Sequence, residues 1–192
     1  MLLITISLHA VSASLFLIPI LLAINAAYTR NVPATLRYYV FSLYICIVYD
    51  LVGPPNITYM NWDPAVNWVP LLSMVGDLRS TALNILMFIP LGAGLPLICN
   101  KYRSFSKTVF FGFSFSAAIE LSQLFTLRAT DVNDLITNTL GAVIGYLLAK
   151  PFCTKVKTIK PMRPIVLIII SCLVMFFAEP FVFSLLYSLI FR

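Results

Sequence analysis

Six apolar stretches, each close to or above the length needed to cross a bilayer, constrain this sequence more than any other feature. A hydrocarbon core about 30 Å thick requires about 20 apolar residues in a helix. The stretches have the approximate bounds 2–27, 37–53, 82–99, 108–127, 132–149 and 164–191. We therefore predict an all-α fold: a polytopic transmembrane helical bundle of about six spans, forming a single membrane domain over residues 1–192.

The composition excludes several classes of protein. Apolar residues make up 60% of the chain and charged residues only 10%, whereas soluble domains average about 45–50% apolar and about 25% charged. An ordinary soluble globule, a disordered chain and a nucleic-acid-binding module are thereby excluded. The net charge of +6 does not indicate a nucleic-acid partner, because such a chain has little water-facing surface on which to spread it.

The basic residues are divided unevenly between the loops. Of the 13 lysines and arginines, all but Arg79, Arg128 and Arg192 fall in the segments 28–37, 100–107 and 150–163. By the positive-inside rule, these three loops are predicted to be cytoplasmic. Both termini are then extracytoplasmic, and the alternation of the loops fits an even number of spans.

The first and the sixth stretch each contain a feature that has more than one interpretation. The sixth stretch is longer than one straight span requires, so Pro180 either kinks the helix or begins a tail that lies along the interface. His9, the only histidine, has no partner at helical spacing in the first span. This isolation favours a packed polar residue over a functional one.

The fourth stretch carries an ionisable residue within the membrane. Counting back from Arg128 at about 1.5 Å per residue, Glu120 lies about 12 Å below the outer surface. Gln123 follows at i+3, on the same helical face. Ionisable groups at such depth are costly and normally face a partner or a wet cavity.

The fifth stretch carries a polar stripe that could supply such a partner. Asp131, Asp134 and Asn138 share one helical face, and Asn138 is predicted to lie at about the depth of Glu120. Gly141 and Gly145 continue this face as a GxxxG pattern, in which small residues allow another helix to approach closely. The stripe is therefore predicted to be polar at its outer end and closely packed at its inner end.

The third stretch adds Asn84 on the same outer side, and its Pro90 and Pro96 indicate kinks that free backbone carbonyls. We therefore predict that spans three to five converge on an extracytoplasmic ligand-binding pocket. The alternative is that the same polar residues only pair with one another and fix the helix packing. The predicted pocket is lined by Asn84, Glu120, Gln123, Asp134 and Asn138 and rimmed by Arg79, Arg128 and Asp131.

The loop between spans two and three carries Tyr59, Trp62 and Trp68. Such rings are typical of the interfacial belt of a membrane protein. Stacking on a ligand that enters the pocket is the alternative role.

These residues resemble the VanZ-like family of bacterial membrane proteins. The resemblance covers about 67–150, and Leu71 departs from the aromatic residue usual at its position. Its motifs are the stretch Ile119-Glu120-Leu121-Ser122-Gln123, the positions Arg128, Asp131, Asp134, Asn138, Gly141 and Gly145, the run Asn84-Ile85-Leu86-Met87-Phe88-Ile89-Pro90-Leu91-Gly92, and Asn67-Trp68-Val69-Pro70-Leu71.

The resemblance implies a multi-pass protein of the bacterial plasma membrane. The family takes its name from a protein that lowers sensitivity to teicoplanin, a lipoglycopeptide antibiotic. No catalytic residues come with the resemblance, and we expect neither a cofactor nor a metal. Membrane lipids are the expected partners, with no nucleic acid among them.

Three functions are compatible with this pattern. The first is binding of a lipid-linked cell-wall precursor or a lipoglycopeptide, with Arg79 and Arg128 contacting its phosphate or carboxylate. The second is an intramembrane hydrolase or transferase in which Glu120 acts as the acid or base beside Asp134. The third, an ion-coupled transporter, is least favoured because the inner halves of spans three to five are nearly apolar. The sequence names neither the natural ligand nor the oligomeric state.

Overall fold

The computed structural model describes residues 2–58, 66–67, 78–126, 130–153, 155–156 and 162–190. Its chain forms two compact units, of which the first comprises residues 1–60 and 159–192 and the second residues 61–158. The helices are, in chain order, α1 (Leu2–Ile24), α2 (Val32–Val52), α3 (Leu78–Ile98), α4 (Phe105–Gln123), α5 (Val132–Ala149), α6 (Pro164–Leu173) and α7 (Glu179–Ile190).

Shorter elements extend or join these helices. A π-helical turn, Asn25–Thr29, prolongs α1, and a second one, Val174–Ala178, joins α6 to α7. Short 3-10 turns follow α3 at Asn100–Arg103 and α5 at Lys150–Phe152. The described residues also include one two-residue pairing, in which β1 (Val66–Asn67) runs parallel to β2 (Thr130–Asp131).

The prediction of a multi-pass helical protein is confirmed. By length and composition, five helical stretches of the described chain could cross a membrane; α4 is not among them. At 19 residues, α4 reaches about 28 Å, but Lys107, Glu120 and several serines lower its hydropathy. The five stretches are Ile4–Thr29, Val32–Val52, Leu78–Ile98, Val132–Phe152 and Pro164–Ile190.

Helix α2 begins at Val32, five residues before the approximate start predicted for the second span, so Arg37 lies within the helix. The Asn31 side chain accepts a hydrogen bond from the Ala34 N–H at 2.9 Å, and Pro33 fits the first turn, where its missing N–H costs nothing. Helices α3 and α4 likewise begin earlier than hydropathy indicated, because their first turns are polar.

The first unit buries a small apolar core between its helices. Ala13 and Leu17 of α1 pack with Cys46 of α2 and with Val174 and Met175 of the second π-helical turn. Helix α2 ends at Val52 and is followed by Gly53, whose φ of 60° is a left-handed conformation that glycine adopts without strain.

The helix passes through Pro180 and continues to Ile190, with the π-helical turn immediately before Glu179. A proline cannot donate the backbone hydrogen bond of a regular helix, so it leaves the carbonyl four residues earlier without its usual partner. That carbonyl belongs to Phe176, and it accepts a hydrogen bond from the Ile57 N–H at 3.2 Å. The proline thus supplies the acceptor that holds the segment after α2.

In the second unit, α3 and α5 approach each other at their glycines. A Cβ atom added to Gly145 would lie 2.0 Å from the Ile89 carbonyl oxygen, and one added to Gly141 would lie 2.3 Å from that of Ile85. From the opposite side, a Cβ atom on Gly92 would lie 2.1 Å from the Ala142 carbonyl oxygen. The prediction that the GxxxG pattern packs closely against another helix is confirmed, and that helix is α3.

Candidate functional site

The end of the α3–α5 contact at which Asn84 and Asp134 lie is polar. Asn84 lies on α3 and Asp134 in the first turn of α5. The Asn84 Nδ2 atom donates a hydrogen bond to Asp134 Oδ1 at 2.6 Å. This hydrogen bond joins the two helices and fixes both side chains across the contact.

One turn further along α5, Asn138 pairs with α4. Its Nδ2 atom donates to Ser116 Oγ at 2.9 Å. The Asn138 side chain is 2% exposed, and its Oδ1 atom has no hydrogen-bond partner among the described residues. A buried amide oxygen in this state can accept a bond from an incoming group.

Glu120 and Gln123 lie on the same face of α4 as Ser116. Both are buried, with exposures of 7% and 6%. Helices α4 and α5 pack against each other, and the short connection between them makes them antiparallel. Since Ser116 faces Asn138, one further turn towards the connection on each helix brings Glu120 level with Asp134.

This level differs from the depth expected for Glu120. The sequence predicts that Glu120 lies opposite Asn138, whereas the residue bonded to Asn138 is Ser116. The two carboxylates, Glu120 and Asp134, therefore form a layer one turn nearer to the connection between α4 and α5. The Ser116–Asn138 pair forms the layer below it.

The predicted rim is described only in part. Arg79 lies in the first turn of α3 and is exposed. The backbone of Asp131 pairs with Asn67 in the short parallel strands, and its side chain lies outside the described residues. Arg128 also lies outside them, as do Tyr59, Trp62 and Trp68.

Three buried polar residues of the cluster were absent from the sequence prediction. They are Ser116, Asn133 and Thr137, with exposures of 0%, 3% and 1%. Thr137 Oγ1 donates to the Asn133 carbonyl at 3.0 Å. Ser116 could have been found, because it precedes Glu120 by four residues and so shares its helical face.

The chemistry of this polar cluster is that of oxygen acceptors and amide donors. Glu120 and Asp134 supply carboxylates, while Asn84, Gln123 and Asn138 supply amides. In the described part of the second unit, no three His, Cys, Asp or Glu side chains are placed to hold a metal ion. The polar cluster is suited to hydrogen bonding with hydroxyl and N–H groups of a ligand. The ligand-binding pocket expected around it stays a prediction.

One comparison with known proteins covers the whole polar cluster. A family model described as VanZ/LLP1 matches residues 15–155. The match is wider than the range 67–150 on which the resemblance rests, since it includes α2 and part of α1. No curated protein and no solved structure matches the chain.

Proposed function

The chain belongs to the VanZ/LLP1 family, and from this membership together with its buried polar cluster we propose that it binds the head group of a lipid-linked cell-envelope precursor or a lipoglycopeptide. Binding takes place at the polar ends of α3, α4 and α5, with the ligand's acyl chains in the bilayer. In a bacterial cell, this binding lowers sensitivity to teicoplanin.

The observation that carries this proposal is the state of Asn138. Its amide donor is used by Ser116, and its buried carbonyl oxygen has no partner among the described residues. A buried acceptor left unpaired costs about 1–3 kcal/mol. A hydroxyl or N–H group of a ligand offsets that cost.

The other members of the cluster match the same ligand chemistry. Sugars and peptides present hydroxyl and N–H donors, which the carboxylates of Glu120 and Asp134 accept. Arg79, exposed at the start of α3, is available to a phosphate or carboxylate of the ligand. In this proposal Arg128 has the same role.

A second candidate function is supported by the two carboxylates at one level. A buried Glu120 next to an Asp134 that is held by Asn84 would suit a general acid or base paired with a second carboxylate. The reaction would be hydrolysis or transfer on a lipid-linked glycan. Binding is the first choice, because the Asn138 carbonyl needs only a ligand and no chemistry.

Photo-crosslinking of the purified protein in nanodiscs to an anionic lipid-linked glycan probe tests the binding proposal. Asn138→Ala removes the buried acceptor, and we expect the apparent affinity to fall by about 5–10-fold, corresponding to about 1–1.4 kcal/mol. Ser114→Ala is the matched control, because Ser114 is exposed on α4 and bonds only its own helix. Equal affinity for both variants and the wild type would refute binding at this cluster.

Glu120→Gln separates the two functions. If Glu120 only binds the ligand, the glutamine amide that replaces its carboxylate still forms hydrogen bonds. Crosslinking and teicoplanin tolerance should then weaken but persist. If Glu120 is the acid or base, a glutamine amide cannot take over its proton transfer. Teicoplanin tolerance and any turnover of the probe should then be abolished while expression stays normal. If neither property changes, the cluster is internal packing only.

A further inference from the structure

In the first unit, three helices each contribute one ionisable side chain to a single cluster. His9 of α1 contacts Glu179 of α7 through Nδ1 at 2.6 Å and Asp50 of α2 through Nε2 at 3.1 Å. The Phe183 ring, one turn after Glu179, stacks on the imidazole with centroids 3.8 Å apart and planes 3° from parallel. The ring is thereby fixed in both position and plane.

The geometry sets the number of protons that this cluster holds. A neutral imidazole has one N–H and one bare nitrogen, and a bare nitrogen facing a carboxylate oxygen is repelled. Because both ring nitrogens contact a carboxylate, each nitrogen–oxygen contact needs a proton. The cluster therefore holds one proton more than a neutral imidazole beside two ionised acids would. With this extra proton the cluster has a net charge of −1, and without it the charge is −2.

The two contacts differ in length and in access to solvent. The contact to Glu179 is the shorter one, and the Glu179 side chain is 5% exposed. The side chain of Asp50 is 22% exposed, and Asp50 lies two residues before the end of α2 at Val52. The proton between Nε2 and Asp50 is therefore the one that water can reach.

The charges facing the ring all belong to the cluster. Asp50 and Glu179 act on His9 from α2 and α7, and Glu179 also acts on Cys46 and Tyr49 of α2. The Tyr49 hydroxyl is already used, donating to the Pro55 carbonyl at 2.5 Å. Within the described ranges, no lysine or arginine forms a salt bridge with these acids.

We propose that His9, Asp50 and Glu179 form a proton-binding site, which exchanges the proton shared by His9 Nε2 and Asp50 with water at the end of α2. Glu179 and Phe183 are positioning residues that hold Nδ1–H and the ring plane. The proton leaves Nε2 through the Asp50 carboxyl to water, and the neutral ring keeps its Nδ1–H on Glu179. No oxidant or further reactant is needed.

This site is independent of the proposed head-group binding. His9 and Glu179 lie outside the family-matched residues 15–155, and the cluster belongs to the first unit. Loss of the shared proton leaves the bare Nε2 opposite a carboxylate, so the contact between α1 and α2 opens. Uptake of the proton closes it, and the site thus couples proton binding to the packing of these two helices.

Nitrogen-15 NMR of the full chain in nanodiscs tests the proposal without any substitution, because His9 is the only histidine. Over a titration from about pH 4 to about pH 10, we expect Nδ1 to stay protonated while Nε2 changes from protonated to bare. Two nitrogens protonated throughout would mean a fixed structural ion pair and would overturn the proposal. Loss of the proton from Nδ1 instead of Nε2 would overturn it equally.

Two variants and a control assign the exchange partner. Asp50→Asn removes the carboxylate, so the midpoint of the Nε2 transition should move by about 1–3 pH units. Glu179→Gln retains an acceptor for Nδ1–H, so exchange at Nε2 should persist. Tyr39→Phe is the control, since it removes a 2.9 Å hydrogen bond between α2 and Ser14 of α1 without touching the cluster. A shift in Tyr39→Phe as large as that in Asp50→Asn would contradict the assignment to Asp50.

Discussion

Asn84 and Asn138 each form a hydrogen bond to a helix other than their own. These bonds between helices determine how much stability a substitution costs. Removing one partner of a buried hydrogen bond leaves the other unsatisfied, at about 1–3 kcal/mol, whereas a formed bond contributes only about 0.5–1.5 kcal/mol net. The pairs Asn84–Asp134 and Ser116–Asn138 are therefore sites where a single truncation costs more than the bond itself contributes.

Asp134→Ala should lower the free energy of unfolding by about 1–3 kcal/mol, because the Asn84 amide loses its acceptor. Asp134→Asn keeps an acceptor oxygen and should cost about half as much. Reversible unfolding in mixed micelles measures both values. If Asp134→Asn costs as much as Asp134→Ala, the charge of Asp134 matters more than its hydrogen bond to Asn84.

The sequence predicted which residues belong to the polar cluster better than it predicted which hydrogen-bond partner each of them has. Depth counting brought Asn84 and Asp134 to the same outer end, and they are bonded. Ser116 escaped prediction because a helical serine usually bonds its own backbone, as Ser12 does to the Leu8 carbonyl. For His9 the sequence showed only that no partner stands at helical spacing in the first span, and its two acids lie on other helices, which helical spacing cannot reveal.

Among the helices, the contact of α3 with α5 depends most strongly on residue size. Gly92, Gly141 and Gly145 each face a backbone carbonyl of the opposite helix. A carbonyl belongs to the backbone and cannot rotate away as a side chain can. Any added atom therefore has to push the two helices apart.

Gly145→Ala should destabilise the protein by about 1–3 kcal/mol through overpacking, since the new Cβ would lie 2.0 Å from the Ile89 oxygen. Thermal unfolding in nanodiscs provides the measurement. Ala118→Val is a control that adds atoms at an exposed position of α4, and we expect almost no change there. A neutral Gly145→Ala would show that α3 and α5 pack less closely than described.

Pro180→Ala should release the segment that follows α2. The new N–H restores the regular helical partner of the Phe176 carbonyl and competes with Ile57 for it. Loss of about 1 kcal/mol of hydrogen bonding should speed amide hydrogen exchange at Ile57 about 5-fold. Pro19→Ala in α1 is the control, and unchanged exchange in Pro180→Ala would contradict the role assigned to the proline.

The approximate positions of the helices were predictable, because hydropathy reports the apolar middle of each span, but α4 is not among the five described stretches that are apolar enough to cross a membrane. The start of α2 was not predictable, since it is set by the cap that Asn31 provides. The continuation of the helix through Pro180 was left open by the sequence. The carbonyl that the proline frees is satisfied by Ile57, which is remote in sequence.

For the whole molecule, the distribution of basic residues predicts the orientation in the membrane. Cysteine labelling of intact cells tests it, with the four native cysteines replaced. Arg128→Cys should react with a membrane-impermeant maleimide from outside, and Lys157→Cys only after permeabilisation, because loops rich in lysine and arginine stay cytoplasmic. The reverse pattern would invert the predicted topology.

The GxxxG ridge of α5 has a consequence for self-association. Such ridges commonly join the transmembrane helices of two separate polypeptides. Here Gly141 and Gly145 are already covered by α3 of the same chain, so this surface is closed to a neighbouring copy. Any homodimer must therefore assemble through another face, and replacing these glycines would damage the monomer before it affected stoichiometry.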